Sequence, residues 1–308
     1  MAPEKILITG VNGFIGGHLA NKLSSSKYEI HGLGRSLTTS SKIFSYYCCD
    51  LIDASLTKKV IEKVQPSVII HLAGSRLRSE KISEFGNNFT DSIGLTLNTV
   101  NACVGKDWLK CFVTLGTCEE YGSVKVPYSE SDQEVPNSAY AWGKLATTKL
   151  LMALWQTHKF PAVILRPTVA YGPNQDLDMF IPALISSLLK NQDFRMTDGS
   201  QTRDFIFIDD VISAIVQAIN IDVAGQIINI SSGTEVSLST LVELVLKIID
   251  TDVRKHVLKA TLPRRHAEVG RYVATNGLAK QILGWEPTVD LESGLNQTIN
   301  WYSNSLET

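Results

Sequence analysis

The chain has few charged side chains, and neither sign of charge dominates. Asp, Glu, Lys and Arg make up 19% of the 308 residues, whereas hydrophobic residues make up 44%; an average soluble domain has roughly 25% charged residues. The 29 basic and 31 acidic residues give a formal net charge of −2, which argues against nucleic acid as a partner. The composition also excludes a disordered or collagen-like chain and allows one large domain or two interleaved ones.

Cysteine is also scarce, and long apolar runs are missing. The five cysteines show no CxxC spacing, which fits reduced thiols and predicts neither a disulfide framework nor a metal site. No apolar run approaches about 18 residues, and the N-terminal segment has no secretory hydrophobic region. We therefore expect a cytoplasmic globular enzyme with no membrane partner. Cys48 and Cys49, like His71 and Trp142, are expected to be packing residues.

Apolar strand-like runs alternate with helix-like stretches. Runs this apolar suit parallel strands buried on both faces, and their alternation with helices predicts an α/β fold. After about residue 167, prolines and glycines punctuate the sequence, which predicts a smaller, mostly helical second lobe. The strand-like runs are Lys5–Thr9, Tyr28–Leu33, Val68–Leu72, Cys111–Leu115, Val163–Leu165 and Ile227–Ile230.

A glycine-rich segment follows the first strand-like run and opens the first helix-like stretch. Gly10 and Gly13 would let the backbone approach a pyrophosphate, and Gly16 would let the helix pack closely on the sheet. Free N–H groups at the helix N-terminus attract phosphate oxygens. The alternative is a purely structural turn. The predicted dinucleotide cradle consists of Gly10, Asn12, Gly13, Phe14, Ile15 and Gly16.

The second strand-like run ends without an acidic residue. Sites that prefer NAD usually place a carboxylate about 20 residues after the glycines, bonded to the ribose 2′-hydroxyl. Here the run leads instead to Arg35, which could pair with a 2′-phosphate. NADP is therefore the predicted cofactor, with NAD and a merely solvated Arg35 as the alternatives. Asp50 and Leu51, between the Tyr28–Leu33 and Val68–Leu72 runs, are either contacts to the adenine or a simple turn.

A tyrosine and a lysine lie four residues apart on a predicted helix. This spacing puts Tyr140 and Lys144 on one helix face, where the ammonium group favours phenolate and lowers the tyrosine pKa towards neutrality. Such a phenol suits the interconversion of an alcohol and a ketone. Thr117 follows the Cys111–Leu115 run, at the sheet edge where ligands bind in α/β proteins, and its hydroxyl could bond the same substrate oxygen.

Further motifs extend along the chain. They are His71–Gly74, Thr117 with Tyr121 and Gly122, Arg166–Pro173, Arg203–Asp210 and Leu283–Pro287. With the glycine segment and the Tyr140–Lys144 pair, these motifs make nearly the whole chain resemble the nucleotide-sugar epimerase/dehydratase branch of the extended short-chain dehydrogenase/reductase family.

The resemblance implies a Rossmann fold, a doubly wound parallel sheet, with a smaller and mostly helical C-terminal substrate lobe. Residues 1–167, with a return around 204–232, would bind NAD(P), and residues 168–308 would mainly bind a nucleotide-diphosphate sugar. It also implies a homodimer and a catalytic triad of Thr117, Tyr140 and Lys144. Further cofactor contacts would be Leu72, Ala73, Gly74, Pro167 and Val169, and further substrate contacts Asn174 and Arg203. The segment after Gly74 departs from the resemblance because it lacks the histidine often found there, and Arg76 or Arg78 either contacts the substrate or is solvated.

The reaction on the sugar depends on the residues after Thr117. In the 4,6-dehydratases that the chain resembles, an acid and then a glutamate occupy these positions. Glu119 fits the glutamate, which would act as the base, whereas Cys118 replaces the usual aspartate and would have to donate a proton as a thiol. The expected chemistry is hydride exchange at sugar C4 of the epimerase/dehydratase type. The alternatives are an NADPH-dependent reductase of a 4-keto-6-deoxyhexose and a non-catalytic dinucleotide-binding sensor.

Overall fold

The computed structural model describes residues 3–24, 27–74, 82–249, 251–264 and 268–306. The strands are β1 (Lys5–Thr9), β2 (Glu29–Gly34), β3 (Ser45–Cys48), β4 (Val68–His71), β5 (Cys111–Leu115), β6 (Ala162–Pro167), β7 (Val169–Tyr171), β8 (Phe194–Arg195), β9 (Thr202–Arg203), β10 (Phe205–Phe207), β11 (Ile227–Ile230), β12 (Val236–Ser237) and β13 (Val257–Leu258). The helices are α1 (Phe14–Leu23), α2 (Ala54–Val64), α3 (Ile82–Asn101), α4 (Ala139–His158), α5 (Phe180–Leu189), α6 (Ile208–Asn220), α7 (Leu238–Ile249), α8 (Gly277–Leu283) and α9 (Leu291–Leu306), with 3-10 turns at Cys118–Glu120 and Thr251–His256.

Seven of the described strands form one parallel sheet in the order β3-β2-β1-β4-β5-β6-β11. Leu7 of β1 lies opposite His31 of β2 and Ile69 of β4. The strand order reverses between β1 and β4, as in a doubly wound Rossmann sheet, which confirms the predicted fold class. Ligands of such sheets bind at the carboxyl ends of the strands beside this reversal.

Alternate residues of the central strands bury opposite faces of the sheet. Ile6 and Ile8 pack into the core on the side of α1 and α6, whereas Leu7 packs on the side of α2, α3 and α4. All three side chains are fully buried. Burial on both faces explains why β1 is a continuous apolar run instead of an alternating one.

The chain after β6 forms a second layer of helices and short strands. In the described part of this region, β7 pairs with β10, β8 with β13 and β9 with β12 as separate two-stranded sheets, while α5, α7 and α9 pack on one another. The mostly helical character agrees with the sequence pattern. Nowhere in the described ranges does a helix have the length and apolarity needed to cross a bilayer.

A buried carboxylate joins this second layer to the central sheet. Asp204, between β9 and β10, accepts hydrogen bonds from Thr168, after β6, at 3.2 Å and from Ser231, after β11, at 2.7 Å. Burial raises the pKa of Asp204, and its hydrogen bonds with serine hydroxyls oppose that rise. The joint fixes the neighbouring Arg203 near the carboxyl edge of the sheet.

Candidate active site

The glycine-rich segment makes a tight turn between β1 and α1. Gly10 has φ +70°, and a Cβ there would lie 2.9 Å from the backbone nitrogen of Ala73. A Cβ at Gly16 would collide with the carbonyl oxygen of Gly10 and lie 2.8 Å from the Cα of Val11. The Gly13 N–H donates to the Gly10 carbonyl at 2.9 Å. Side chains at Gly10 and Gly16 would therefore force the turn and α1 apart.

The N-terminus of α1 is open towards this turn. Gly13 precedes the first helical residue, and no side chain of the described residues caps the helix there. Phe14 and Ile15 are half-buried beside it. Uncapped N–H groups and the positive end of the helix dipole form an anion-binding arrangement. The residues present therefore fit the diphosphate of a dinucleotide.

Asn12 links the glycine turn to the segment after β2. Its Nδ2 donates to the Thr38 carbonyl and to the Tyr46 hydroxyl, both at 3.1 Å. The Tyr46 hydroxyl donates in turn to the Ser36 carbonyl at 2.6 Å. Gly34 permits this approach, since a Cβ there would lie 3.0 Å from the Tyr46 hydroxyl. The segment that would face the adenosine ribose is thus tied to the cradle.

Arg35 and Asp50 are exposed at the carboxyl ends of β2 and β3, respectively. The Asp50 carboxylate accepts the backbone N–H of Ile52 at 3.1 Å, which is the behaviour of a turn aspartate. The Leu51 side chain is buried in the core, and its carbonyl accepts the Asn98 amide at 2.8 Å. Arg35 and Asp50 are therefore both accessible at this edge, whereas the Leu51 side chain is not.

The segment after β4 lies directly above the glycine turn. Leu72 and Ala73 are half-buried there, and the Ala73 N–H donates to the Thr9 hydroxyl at 3.2 Å. The same hydroxyl contacts His71 Nδ1 at 3.0 Å, and Thr96 contacts Nε2 at 3.2 Å. Burial lowers the pKa of His71 to about 3, with a smaller contribution from Lys144. His71 is thus a neutral core residue, as the sequence predicts.

The α4 helix carries the predicted tyrosine–lysine pair. Lys144 Nζ donates to the Leu115 carbonyl, the last residue of β5, at 2.8 Å. A Cβ added at Gly74 would lie 3.6 Å from the same Nζ. Tyr140 is half-buried one turn earlier. The ammonium group therefore lies between the carboxyl ends of β4 and β5, at the edge that holds the cradle.

Thr117 opens the 3-10 turn that follows β5. Its hydroxyl accepts the Glu119 N–H at 3.2 Å, and its own N–H donates to the Glu120 carboxylate at 2.8 Å. Burial raises the pKa of Tyr272 well above its ordinary value, and a hydrogen bond with Thr117 opposes that rise. The catalytic candidate is thus held both by its own turn and by a residue of the C-terminal region.

Cys118 does not face the cleft, contrary to its predicted role as a proton donor. Its side chain is fully buried, and the thiol donates to the Arg166 carbonyl at 3.1 Å and lies 3.7 Å from Asn229 Oδ1. Burial raises the pKa of this thiol well above its ordinary value. A group that is buried and already bonded cannot protonate a substrate hydroxyl. Glu119, the predicted base, is half-buried beside it.

The remaining predicted contacts come from β6 and from the chain after it. Pro167 is buried at the end of β6, and Val169 is half-buried at the start of β7. Arg203 is half-buried, and its guanidinium donates to Glu268 at 2.6 Å and to the Val269 carbonyl at 3.0 Å. A diphosphate would have to share or replace these contacts.

Two further substrate contacts are predicted from the sequence, Asn174 and Arg76. Asn174 is exposed in a loop with φ 60°, next to Pro173, whose carbonyl lies 2.8 Å from His18 Nε2 of α1. Arg76 lies outside the described residues.

Three residues of this region escaped the sequence analysis. Tyr46 and Tyr272 are single aromatic residues with no motif around them, so no signal in the sequence separates them from packing residues. Glu120 stands beside Glu119 in the motif, and no signal in the sequence separates the two. Burial distinguishes the two glutamates, because Glu120 is fully buried and Glu119 is half-buried.

The sequence matches the model of a known family. Residues 6–231 match the model of the NAD dependent epimerase/dehydratase family. The chain belongs to this family and is an enzyme of the nucleotide-sugar epimerase/dehydratase type, which confirms the resemblance drawn from its motifs.

Individual relatives are similar along nearly the whole chain. UDP-glucose 4-epimerase of Mycolicibacterium smegmatis is 28% identical over 97% of this chain and 99% of its own length. dTDP-D-glucose 4,6-dehydratase of Mus musculus is 27% identical over 97% of this chain and 88% of its own length. A trifunctional UDP-glucose 4,6-dehydratase, epimerase and reductase of Arabidopsis thaliana is 27% identical over 99% of this chain, which spans 48% of that protein's length.

Solved structures give the same result. UDP-glucose 4-epimerase of Thermotoga maritima, solved with UDP-glucose, superposes with a TM-score of 0.91 at 25% identity and covers 98% of this chain and 99% of its own. UDP-glucuronic acid 4-epimerase of Bacillus cereus, solved with UDP-glucuronic acid and NAD, superposes with a TM-score of 0.88 at 28% identity. The superposition covers 98% of this chain and 99% of that one. The shared fold therefore extends across both lobes.

Proposed function

We propose that the chain exchanges a hydride with C4 of the hexose in a nucleotide-diphosphate sugar. The observation that carries this proposal is the position of Lys144, whose Nζ bonds the Leu115 carbonyl and approaches Gly74. This position puts the Tyr140–Lys144 pair at the sheet edge that holds the glycine cradle and Thr117. A redox cofactor and an acid–base pair at one edge are what alcohol–ketone exchange requires.

Each residue of the triad has a distinct task in this proposal. The dinucleotide, when bound, supplies the hydride acceptor or donor. Tyr140 takes the proton from the C4 hydroxyl or returns it to the C4 ketone. The Lys144 ammonium favours the phenolate form of Tyr140, and the Thr117 hydroxyl donates a hydrogen bond to the C4 oxygen and orients it.

The substrate class follows from the relatives and from Arg203. Proteins of similar sequence and fold are named for UDP- and dTDP-sugars. Arg203 offers a planar guanidinium, which suits a diphosphate, and it is half-buried with Glu268 as its present partner. We infer that the diphosphate joins or displaces Glu268 at this guanidinium.

NADP is the proposed form of the cofactor. The family uses NAD, but no acidic residue occurs between Glu29 and Asp50, so a ribose 2′-hydroxyl finds no carboxylate at the end of β2. Arg35 is exposed there and can pair with a 2′-phosphate. NADP binding therefore depends on Arg35 in this proposal.

Reduction of a 4-keto-6-deoxy sugar is the second candidate function, and burial of Cys118 favours it over dehydration. Elimination of the C6 hydroxyl needs an acid beside the base, and the thiol at that position bonds the Arg166 carbonyl inside the core. A reductase needs the triad and NADPH but no elimination acid. Glu119 would then bind a sugar hydroxyl instead of removing a proton.

We further infer a homodimer formed through α3 and α4. These two helices pack side by side and leave apolar side chains partly uncovered. Trp142 of α4 is 42% exposed, contrary to its predicted role in packing, and Phe89, Ile93 and Leu97 follow one another at four-residue spacing on α3, all half-buried. A second copy of the same face would cover this stripe.

A panel of substrates read by mass tests the proposed function. The purified enzyme is incubated with nucleotide hexoses and with their 4-keto-6-deoxy derivatives, with and without NADPH. A gain of two hydrogens with consumption of NADPH identifies the reductase, an altered stereocentre at unchanged mass identifies an epimerase, and loss of water identifies a dehydratase. Binding of NADP(H) without turnover of any sugar would leave only a dinucleotide-binding protein and overturn the proposal.

A further inference from the structure

We infer that Glu120 is a positioning residue for Thr117, acting from inside the core. This inference rests on the proposed function, in which the Thr117 hydroxyl orients the C4 oxygen. Glu120 is fully buried, so its carboxylate contacts neither solvent nor a ligand in the cleft. Its effect on the reaction must therefore pass through the residues that it touches.

One carboxylate oxygen of Glu120 holds the backbone of Thr117. Oε1 accepts the Thr117 N–H at 2.8 Å, while the Thr117 hydroxyl accepts the Glu119 N–H at 3.2 Å. The side chains of Thr117 and Glu120 also form a reciprocal capping box with each other's backbone N–H groups on the 3-10 turn, which fixes both the backbone and the side-chain rotamer of the cap residue. The direction in which the Thr117 hydroxyl can offer its proton is thereby restricted.

The other carboxylate oxygen is held by Arg166. Oε2 accepts Nη2 at 2.6 Å and Nε at 3.1 Å, and neither side chain is exposed. The guanidinium also donates to Glu134 at 3.1 Å and lies 4.7 Å from the ring centre of Tyr121. Because both oxygens are occupied, the carboxylate cannot rotate away from Thr117.

The surrounding backbone is shaped to admit this carboxylate. Gly116 directly precedes Thr117, and a Cβ added there would collide with Oε1 of Glu120. A residue with any side chain at this position would push the carboxylate off the Thr117 N–H. The glycine, the glutamate and the arginine therefore act as one unit on the turn.

The negative charge of Glu120 is needed to pair with Arg166 more than to accept the Thr117 N–H. A neutral amide oxygen would also accept the Thr117 N–H, but it would leave a buried cation with Glu134 as its remaining carboxylate partner. Breaking one side of a buried ion pair is strongly unfavourable. We expect the arginine to draw the replaced side chain or Glu134 out of place, and the turn to loosen.

The first test is a double-mutant cycle between positions 117 and 120. Glu120→Gln should lower kcat by about 10- to 100-fold, the range for a small misplacement of a reacting group, while KM and the NADPH dissociation constant change less than about threefold. Thr117→Val removes the hydroxyl. The double variant should be no slower than Thr117→Val alone, because Glu120 acts through that hydroxyl. Losses that multiply would overturn the inference.

Glu134→Gln is the matched control, since it removes the other carboxylate on the same guanidinium without touching Thr117. Its kcat should stay within about twofold of that of the original enzyme. Glu134 reaches the reacting atoms only through Arg166, Glu120 and Thr117 in turn, so its replacement should have little effect on the rate. An equal loss in Glu134→Gln and Glu120→Gln would assign the effect to general destabilisation around Arg166 and contradict a specific role of Glu120.

Amide hydrogen exchange supplies a readout that needs no turnover. The peptide that contains Thr117 should exchange at least about tenfold faster in Glu120→Gln than in the original protein, with peptides of α9 unchanged. Unchanged exchange at Thr117 would overturn the inference even where the panel of sugars identifies a substrate. Conversely, exchange at Thr117 could be faster in the variant while the original enzyme turns over no sugar. That result would support the contact between Glu120 and Thr117 and reject the proposed function.

Where Glu120→Gln fails to fold, the paired variant Glu120→Gln with Arg166→Met keeps the inference testable. It removes both buried charges and retains an acceptor for the Thr117 N–H, a type of replacement that proteins often tolerate. Its kcat should recover to within about fivefold of the original enzyme, because the positioning contact is restored. A folded paired variant as slow as Thr117→Val would contradict the inference.

Discussion

The Lys144 ammonium group acts on two neighbours in the site. Its bond to the Leu115 carbonyl at 2.8 Å anchors α4 to the end of β5. The same cation disfavours protonation of His71, whose pKa burial has already lowered to about 3. His71 therefore stays neutral between Thr9 and Thr96, and the positive charge at the sheet edge is concentrated on Lys144.

Removing the Tyr140 hydroxyl tests its role in proton transfer. Tyr140→Phe keeps the ring and its packing but removes the acid–base group, so turnover should fall by about 10²- to 10⁴-fold. NADPH affinity, measured by fluorescence titration, should change by less than about twofold. A parallel loss of turnover and cofactor affinity would show instead that Tyr140 is structural.

Reversing the charge of Arg35 tests the choice of cofactor. Arg35→Glu should weaken NADP binding by about 10- to 150-fold, the equivalent of about 1.5–3 kcal/mol for lost charge-assisted bonds, and leave NAD binding within about twofold. Calorimetric titration with both dinucleotides measures the two effects. Lys190→Glu makes the same charge change on the exposed C-cap residue of α5 and should leave both affinities unchanged. Equal weakening of NAD and NADP by Arg35→Glu would remove the case for a 2′-phosphate contact.

At the scale of a single element, α1 depends on two consecutive glycines in different ways. A Cβ at Gly16 would collide with Gly10 and approach Val11 at 2.8 Å, whereas a Cβ at Gly17 would meet its nearest neighbour, the Val11 carbonyl, at 3.9 Å. The two positions share the same helix and the same residue type. They therefore separate the effect of crowding from the general preference of helices for alanine.

Alanine at these two positions should have opposite effects on stability. Gly16→Ala should reduce the free energy of unfolding by about 1–3 kcal/mol, since backbone must move to admit the methyl group, and should weaken dinucleotide binding. Gly17→Ala should raise stability by about 0.5–1 kcal/mol through helix propensity. Urea denaturation and cofactor titration measure both. A neutral Gly16→Ala would mean that α1 does not approach the turn closely.

The elements of the central sheet were readable from sequence because burial on both faces leaves an unbroken apolar signature. The structure gives β1, β5 and β11 the predicted bounds. The short strand pairs of the second layer left no such signature, since two or three residues such as Thr202–Arg203 are too few to show a period.

Site residues that belong to a sequence motif could be predicted from the sequence. Residues whose role depends on how the chain packs could not. The spacing of Tyr140 and Lys144 and the glycine segment identified the edge of the sheet. Burial, which separates Glu120 from Glu119 and turns Cys118 away from the cleft, depends on the path of the chain after Thr117. No local pattern in the sequence encodes that path.

At the scale of the whole molecule, an ion-pair network makes stability depend on acidity. Burial disfavours ionised Glu134, but hydrogen bonds from Lys149 and Arg166 outweigh it, so the pKa of Glu134 lies below its ordinary value of 4.5. A carboxylate with a depressed pKa adds stability above its unfolded-state pKa, and this contribution is lost as the pH falls through the folded-state value. Glu134 therefore favours the folded chain near neutrality and less so in acid.

Glu134→Gln should flatten the acid limb of the stability profile. The melting temperature of the original protein should fall between pH 5 and pH 3 more steeply than that of the variant, because the variant has no carboxylate to protonate there. Glu286→Gln changes an exposed carboxylate paired with Lys280 and should keep the original slope, since surface pairs contribute little. Identical slopes for all three proteins would exclude Glu134 from the acid response.

We expect the proposed homodimer to form through the partly exposed face of α3 and α4. Leu97→Glu and Trp142→Glu each place a charge on the apolar stripe, and burying an unpaired charge in an interface is unfavourable. Light scattering after gel filtration should therefore show twice the chain mass for the original protein and the single chain mass for both variants. Leu177→Glu alters another exposed leucine, 52% exposed and outside α3 and α4, and should remain dimeric. A dimer that survives both charges would place the interface on another face, and a monomeric original protein would reject the homodimer altogether.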